Sequence, residues 1–201
     1  MAKIKKSQKK PIVPLRFLLF ENSDSSLRIW DKNDLIQVNE LWSKVYPYLA
    51  AQAIEYYGRE TGRVLELGPF SGGIAKELGR CYPDLEITVN EGFSLQHGKK
   101  KKYDLIILRG AFFFILDKKT LLRAIFESLK DGGTAFVGGG YGKDIPQGLI
   151  DEIADESRIL NDRLGRRRVS IEELRDLVKQ SGLKDNCRIE EEGGVWLVIR
   201  K

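Results

Sequence analysis

The chain has 201 residues, enough for one domain with a substantial core, and 34 Lys and Arg against 29 Asp and Glu leave a modest net charge of +5. No apolar stretch is long enough to span a bilayer. Two cysteines, Cys81 and Cys187, with a single histidine, His97, provide neither a metal site nor a disulfide framework, and all three read as structural or surface residues.

The start, Met1-Ala2-Lys3-Ile4-Lys5-Lys6, runs into Ser7-Gln8-Lys9-Lys10 without a secretory apolar region, so a cytoplasmic protein is expected. Residues 1–20 are predicted to form a basic, flexible arm and 21–201 a single domain, helical over 21–60 and with its α/β core over 61–201. The aromatic-rich segment Leu41 to Ala50 leads into a helix, and Trp30 and Trp42 read as packing residues.

Val64, Leu65 and Leu67 then make a short apolar run of the kind that becomes a buried parallel strand. Gly68 and Pro69 end it, and an amphipathic helix follows from Gly72-Gly73. Gly68 can take a backbone conformation closed to other residues. Gly72 and Gly73 carry no side chain to hold a ligand off the first helical turn. In an open α/β sheet such a turn lies where the strand order reverses, so the loop is a candidate cradle for a nucleoside-containing cofactor. The dinucleotide pattern would need a glycine where Phe70 stands, which weighs against a pyrophosphate. Glu66 adds an acid at the lip, suited to a cationic or hydroxyl-bearing ligand.

Next, Cys81 to Glu91 holds a strand, and only a short polar stretch separates it from the apolar run Tyr103 to Arg109. Leu121, Leu122, Ile125 and Leu129 recur at helical spacing, with Gly132 as the expected C-terminal cap before a strand through Val137. Gly138-Gly139-Gly140-Tyr141-Gly142 reads either as a loop hugging a ligand or as a plain connector. Ser170-Ile171-Glu172-Glu173 is a capping box, with Leu174, Leu177 and Val178 facing inward and Gly182 closing the helix. Cys187 to Glu191 and Val195 to Ile199 flank Gly193-Gly194 as a hairpin.

Glu66, Gly68 and Gly72 resemble motif I of the class I S-adenosylmethionine-dependent methyltransferases, with Phe70 departing from it. The resemblance runs from about Trp42 to Lys201: Tyr103-Asp104 is similar to the opening of the family's fourth strand, and Leu129-Lys130-Asp131-Gly132-Gly133 to its passage into strand five. It implies a Rossmann-like α/β sheet, mostly parallel with a C-terminal antiparallel hairpin. The short stretch after Glu91 implies a sheet shortened by one strand-helix unit after the second strand. An alternative alignment makes Leu85 to Glu91 the third strand.

On this resemblance S-adenosyl-L-methionine is the cofactor, held by Glu66, Gly68, Pro69, Phe70, Gly72, Asn90, Glu91, Arg109 and Tyr46. Glu91 or Asn90 would take the ribose hydroxyls, the loop from Gly92 to Leu95 would cover the adenine, and Tyr46 would close as an N-terminal lid or pack on the sheet edge. Arg109 would hold a carboxylate of acceptor or cofactor, or extend along the strand end to water. Phe112, Phe113 and Tyr141 are candidates for the acceptor pocket. No catalytic residue is identified, since methyl transfer from a sulfonium needs positioning more than acid-base help. The chain lacks the Asn/Asp-Pro-Pro-Tyr/Phe signature of amine-modifying relatives and a Pro-Cys nucleophile, which favours a small-molecule acceptor. Basic clusters at Lys3 to Lys10, Lys99 to Lys102, and Arg163 with Arg166 to Arg168 admit an RNA or protein acceptor, solvated tails and loops being the plainer reading. A third reading is a non-catalytic binding or assembly subunit of the same fold.

Overall fold

The computed structural model describes residues 32–93, 95 and 102–201. The expected arm at 1–20, Trp30, His97 and the lysines at 99–101 lie outside the described residues, as does Ser94 within the loop assigned to the adenine.

Six strands form one sheet: β1 (Gly62–Leu67), β2 (Leu85–Asn90), β3 (Tyr103–Arg109), β4 (Leu129–Gly140), β5 (Cys187–Glu190) and β6 (Gly194–Arg200), in the order β2-β1-β3-β4-β6-β5. The first four are mutually parallel, while β6 runs antiparallel to both β4 and β5. The apolar runs of β1 and β3 sit in the middle of the sheet and are buried residue after residue, which explains why they read as continuous rather than alternating hydrophobic segments. β2 pairs with β1 on the side away from β3, from Gly62 opposite Leu85 to Leu67 opposite Asn90, so it is the second strand and the alternative alignment falls. Among the described residues no strand lies beyond it, as expected of a shortened sheet.

The helices are α1 (Lys32–Leu41), α2 (Tyr46–Tyr57), α3 (Gly73–Cys81), α4 (Lys118–Ser128), α5 (Gln147–Arg163) and α6 (Ile171–Gln180). α2 packs on α3 and β4, and α1 on α5. The capping box of α6 is present, Ser170 accepting from the Glu173 amide at 3.2 Å while the Ser170 amide donates to the Glu173 carboxylate at 2.7 Å. A single apolar core links Val38 on α1 to Ile199 on β6. Burial pushes the pKa of the partly buried Cys187 thiol up to about 12.

Two expectations are corrected. Gly132 does not cap α4: the helix ends at Ser128, and Leu129 is already extended and fully buried opposite Tyr103. Gly132 instead sits inside β4 at φ +77°, where the register with β3 breaks, and its amide donates to the Lys201 carbonyl. Gly138 to Gly140 are neither loop nor connector but the last rungs of β4, opposite Trp196, Val195 and Gly194. The crowding there is of backbone on backbone. A Cβ at Gly138 would stand 2.1 Å from the Val195 carbonyl oxygen, and one at Gly140 2.1 Å from that of Gly193.

Candidate functional site

The strand order reverses between β1 and β3, so the crevice at their carboxyl ends is where an open sheet of this kind binds ligands. β1 leaves the sheet at Gly68, whose amide donates to the Asn90 and Gly92 carbonyls at 2.8 and 3.1 Å. Gly68 has φ +101°, a conformation that strains any other residue, and a Cβ there would press on Leu108 Cδ1 at 3.0 Å. A turn follows in which the Ser71 amide donates to the Gly68 carbonyl, with Pro69 half-buried within it. The chain then enters α3 through Gly72, whose missing side chain would point into open space.

Glu66 is 1% exposed and lies beneath this loop rather than at its lip. Its Oε2 accepts from the Gly72 and Ala75 amides at 2.8 and 2.7 Å, a carboxylate serving the first turn of α3 from a neighbouring strand. Burial raises its pKa, against the pull of those amides, of Arg109 and, more weakly, of the Ile74 amide.

Arg109, at the end of β3, does not extend to water. It is 4% exposed, and its guanidinium carbon stands 4.8, 5.1 and 5.7 Å from the ring centres of Trp42, Tyr46 and Phe70. Its Nη2 donates to the Tyr46 hydroxyl at 3.0 Å, and that hydroxyl donates to Asn39 Oδ1 at 2.7 Å. Burial raises the Tyr46 phenol, with Arg109 opposing. The Tyr46 ring lies where a Cβ on Gly73 would be, only 2.1 Å from that position, so it covers the loop from the helical side. Trp42, read from the sequence as packing, stacks on Tyr141 at 5.0 Å and joins the arginine cage to β4.

Glu66, Gly68, Pro69, Phe70, Gly72, Tyr46 and Arg109 therefore meet in one cluster. Asn90 and Glu91 stand beside it at the end of β2, Asn90 Oδ1 accepting from the Gly92 amide and Glu91 exposed. Five buried side-chain polar atoms among the described residues lack a hydrogen-bond partner, and three of them belong to this cluster: Glu66 Oε1, Ser71 Oγ and Arg109 Nε. Such atoms are costly to leave unpaired, so their gathering at one crevice marks a place where a polar ligand would be accommodated.

A cavity of about 250 Å³ opens on the far side of Arg109, between Trp42, Phe70, Gly139 and Gly140. A second, of about 420 Å³, adjoins it and shares Tyr141, Asn161, Arg166 and Val195 as wall residues. Tyr141 lines both and Phe113 the larger, whereas Phe112 is buried and lines neither. Asn39 and Asn161 had no signal in the sequence, Trp42 was read there only as a packing residue, and Arg166 stood within a basic cluster.

Among the described residues no group of three or more His, Cys, Asp or Glu side chains is placed to hold a metal ion, and no helix is long and apolar enough to cross a membrane.

No family model matches the chain, and no curated protein matches it in sequence. Solved structures match its fold. A protein from Methanococcus maripaludis, assigned as an S-adenosyl-L-methionine-dependent methyltransferase, superposes with a TM-score of 0.69 at 22% identity, over 89% of this chain and 96% of that one. Human N-acetylserotonin methyltransferase in complex with SAM matches at 0.55 with 18% identity, and PigF with SAH at 0.57 with 19%, each over 85% of this chain. This chain covers only 56% and 60% of those two longer proteins. The fold is thus that of S-adenosylmethionine-dependent methyltransferases, the mostly parallel sheet and antiparallel hairpin included.

Proposed function

We propose that the protein is an S-adenosylmethionine-dependent methyltransferase acting on a small-molecule acceptor. The observation that carries the reading is the pair of unpartnered, oppositely charged groups at the strand-order reversal, Glu66 Oε1 and Arg109 Nε. The amino-acid end of the cofactor bears one ammonium and one carboxylate. Glu66 suits the first and Arg109 the second, while Asn90 or Glu91 at the end of β2 suits the ribose hydroxyls. Phe70 and the buried Glu66 make the loop a poor phosphate cradle, which argues against a dinucleotide.

When bound, S-adenosylmethionine supplies an electrophilic methyl group whose transfer depends on alignment and exclusion of water. This chain's residues serve those two needs. Trp42, Tyr46 and Phe70 enclose Arg109 and hold its guanidinium in one orientation. Gly139 and Gly140 form part of the inner cavity's wall on the β4 side. Among the described residues that line this inner cavity there is no carboxylate or imidazole, so a proton leaving the acceptor goes to solvent or is lost before binding. The unpartnered atoms are buried, so a ligand reaches them only when neighbouring side chains move.

Calorimetric titration with S-adenosylmethionine and S-adenosylhomocysteine tests the reading. The expected result is micromolar-range binding, weakened about tenfold or more in Glu91→Ala, since hydrogen bonds to charged groups contribute about 1.5–3 kcal/mol and Glu91 is exposed enough to leave the fold intact. Absence of binding by the unaltered protein would sink the cofactor assignment and favour a non-catalytic subunit of the same fold.

A further inference from the structure

The larger cavity is lined by Arg158, Arg166, Arg167 and Arg168, and Asp162 is the one carboxylate among its lining residues. Arg158 is paired with Asp155 at 3.0 Å. No carboxylate of the described residues stands within ion-pair distance of Arg166, Arg167 or Arg168. The nearby acids of α6 are engaged elsewhere, Glu173 in the capping box and Glu172 with Arg175. Arg163, the remaining member of this basic cluster, pairs with Asp34 on α1.

All three arginines line the cavity, and two contacts fix the loop that carries them. Arg166 stacks its guanidinium 4.7 Å from the centre of the Phe113 ring, and the Arg167 amide donates to the Phe113 carbonyl, which ties the arginine loop to the turn after β3. The positive field there is felt by Lys118 at the start of α4, whose ammonium is pushed down to about 8 by burial and by Arg167. Asp162 acts on Arg166 and Glu173 on Arg167 only through space, without an ion pair, so an arginine cluster beside aromatic and apolar walls keeps donors suited to an oxyanion on a flat organic body.

Resting on the methyl-transfer reading, we propose that the acceptor is a small organic acid, a flat molecule bearing a carboxylate or phosphate. Its anionic group is held by Arg166, Arg167 and Arg168, and its reacting atom lies in the inner cavity between Trp42, Arg109 and Gly140. The two cavities share Tyr141 and Arg166 as wall residues and so lie side by side, and the acceptor would span them past these two side chains. Their volumes are those of small-ligand sites, and the arginines line a concavity rather than an open groove with stacking platforms, which favours a small acid over a nucleic acid.

The test titrates the protein, with and without S-adenosylhomocysteine, with 4-hydroxybenzoate, phenyl phosphate, the neutral 4-hydroxybenzamide and the cationic tyramine. At least one of the two acids is expected to bind tenfold or more tighter than the amide, with affinity falling as salt rises; which of them binds tells carboxylate from phosphate. Arg167→Gln with Arg168→Gln, both exposed and lining only the larger cavity, should abolish that preference and leave S-adenosylhomocysteine binding unchanged. Equal affinity for acid and amide in a protein that binds S-adenosylhomocysteine overturns the anion site. Acid binding without S-adenosylhomocysteine binding supports the anion site and overturns the methyl-transfer reading instead. A single-stranded RNA oligonucleotide that binds at physiological salt and displaces the acid would assign the cluster to nucleic acid and also overturn the proposal.

Discussion

Asp104 and Glu66 are buried carboxylates on the neighbouring strands β3 and β1, one at the amino edge of the sheet and the other near its carboxyl edge. Asp104 Oδ2 accepts from the Arg63 amide at 2.8 Å and from Lys130 at 2.5 Å. Burial pushes its pKa up, but these partners outweigh it and hold the carboxyl below its ordinary value. Glu66 has its pKa raised and one oxygen with no partner, facing an arginine that has an unpartnered nitrogen of its own. The same chemistry is closed at one edge and left open at the other. A carboxylate satisfied by its own chain ties strands together, whereas one held incomplete beside a buried cation is available to a ligand.

Removing Arg109 should break this comparison most severely. Arg109→Leu empties the cage of its cation and leaves Glu66 buried without a counter-charge, at an expected cost of about 3 kcal/mol in urea unfolding together with loss of S-adenosylhomocysteine binding. Arg109→Lys keeps the charge but not the planar stacking, so it should recover part of the stability and little of the binding. Binding intact in Arg109→Leu would show that the open edge is not the ligand site.

Asp104→Asn should cost about 1–2 kcal/mol, because Lys130 loses its charged acceptor, and should leave S-adenosylhomocysteine binding untouched. The pH dependence has a definite sign. A carboxyl with a depressed folded pKa contributes above its unfolded value, and that contribution is lost as the pH falls through the folded one. Unfolding followed through the acid range should therefore lose part of its slope in Asp104→Asn. A fall in ligand affinity would mean that the two edges are coupled.

Glu66→Gln should change stability at neutral pH by less than about 1 kcal/mol, since the amide oxygen can still accept from Gly72 and Ala75. Here the sign is reversed. A raised folded pKa makes the native state hold its proton longer than the unfolded state, so stability declines as pH rises from the ordinary 4.5 through the folded value. The variant should lack that decline, and it should bind S-adenosylhomocysteine more weakly. A pH profile identical to that of the unaltered protein would show that Glu66 is not the group in question.

The elements that the sequence discloses are those whose cause is local. The apolar runs of β1 and β3, the Gly68 turn, the Ser170 capping box and the Gly193-Gly194 hairpin each carry their reason within a few residues. The candidate site was legible in composition but not in direction. Strand patterning does not say whether Glu66 turns under its loop or out of it; that depends on amides of the next helix. Nor does it say that Arg109 is retained by rings from α2 and from the turn before it, far away in the chain, when an arginine at a strand end ordinarily extends to water. Gly138 to Gly140 looked like a loop because their crowding comes from β6, which the sequence supplies more than fifty residues later.

Asp117 offers the smallest and cleanest contrast, a carboxylate whose whole role is local and exposed. Its Oδ1 accepts from the Thr120 amide at 3.0 Å, capping α4, and the Thr120 hydroxyl and amide lower its pKa. Asp117→Ala should cost about 1 kcal/mol, the usual loss for an N-cap, while Asp117→Asn, an equally good cap, should cost a few tenths. Only the charge distinguishes the aspartate from the asparagine here. The aspartate's small contribution should therefore fade as pH falls through its folded pKa while the asparagine's does not. Thermal unfolding of the two variants across the acid range measures this directly. If Asp117→Asn proved as costly as Asp117→Ala, charge rather than hydrogen bonding would be holding the helix end, and the division between satisfied and open carboxylates would have to be drawn by field instead of by partner.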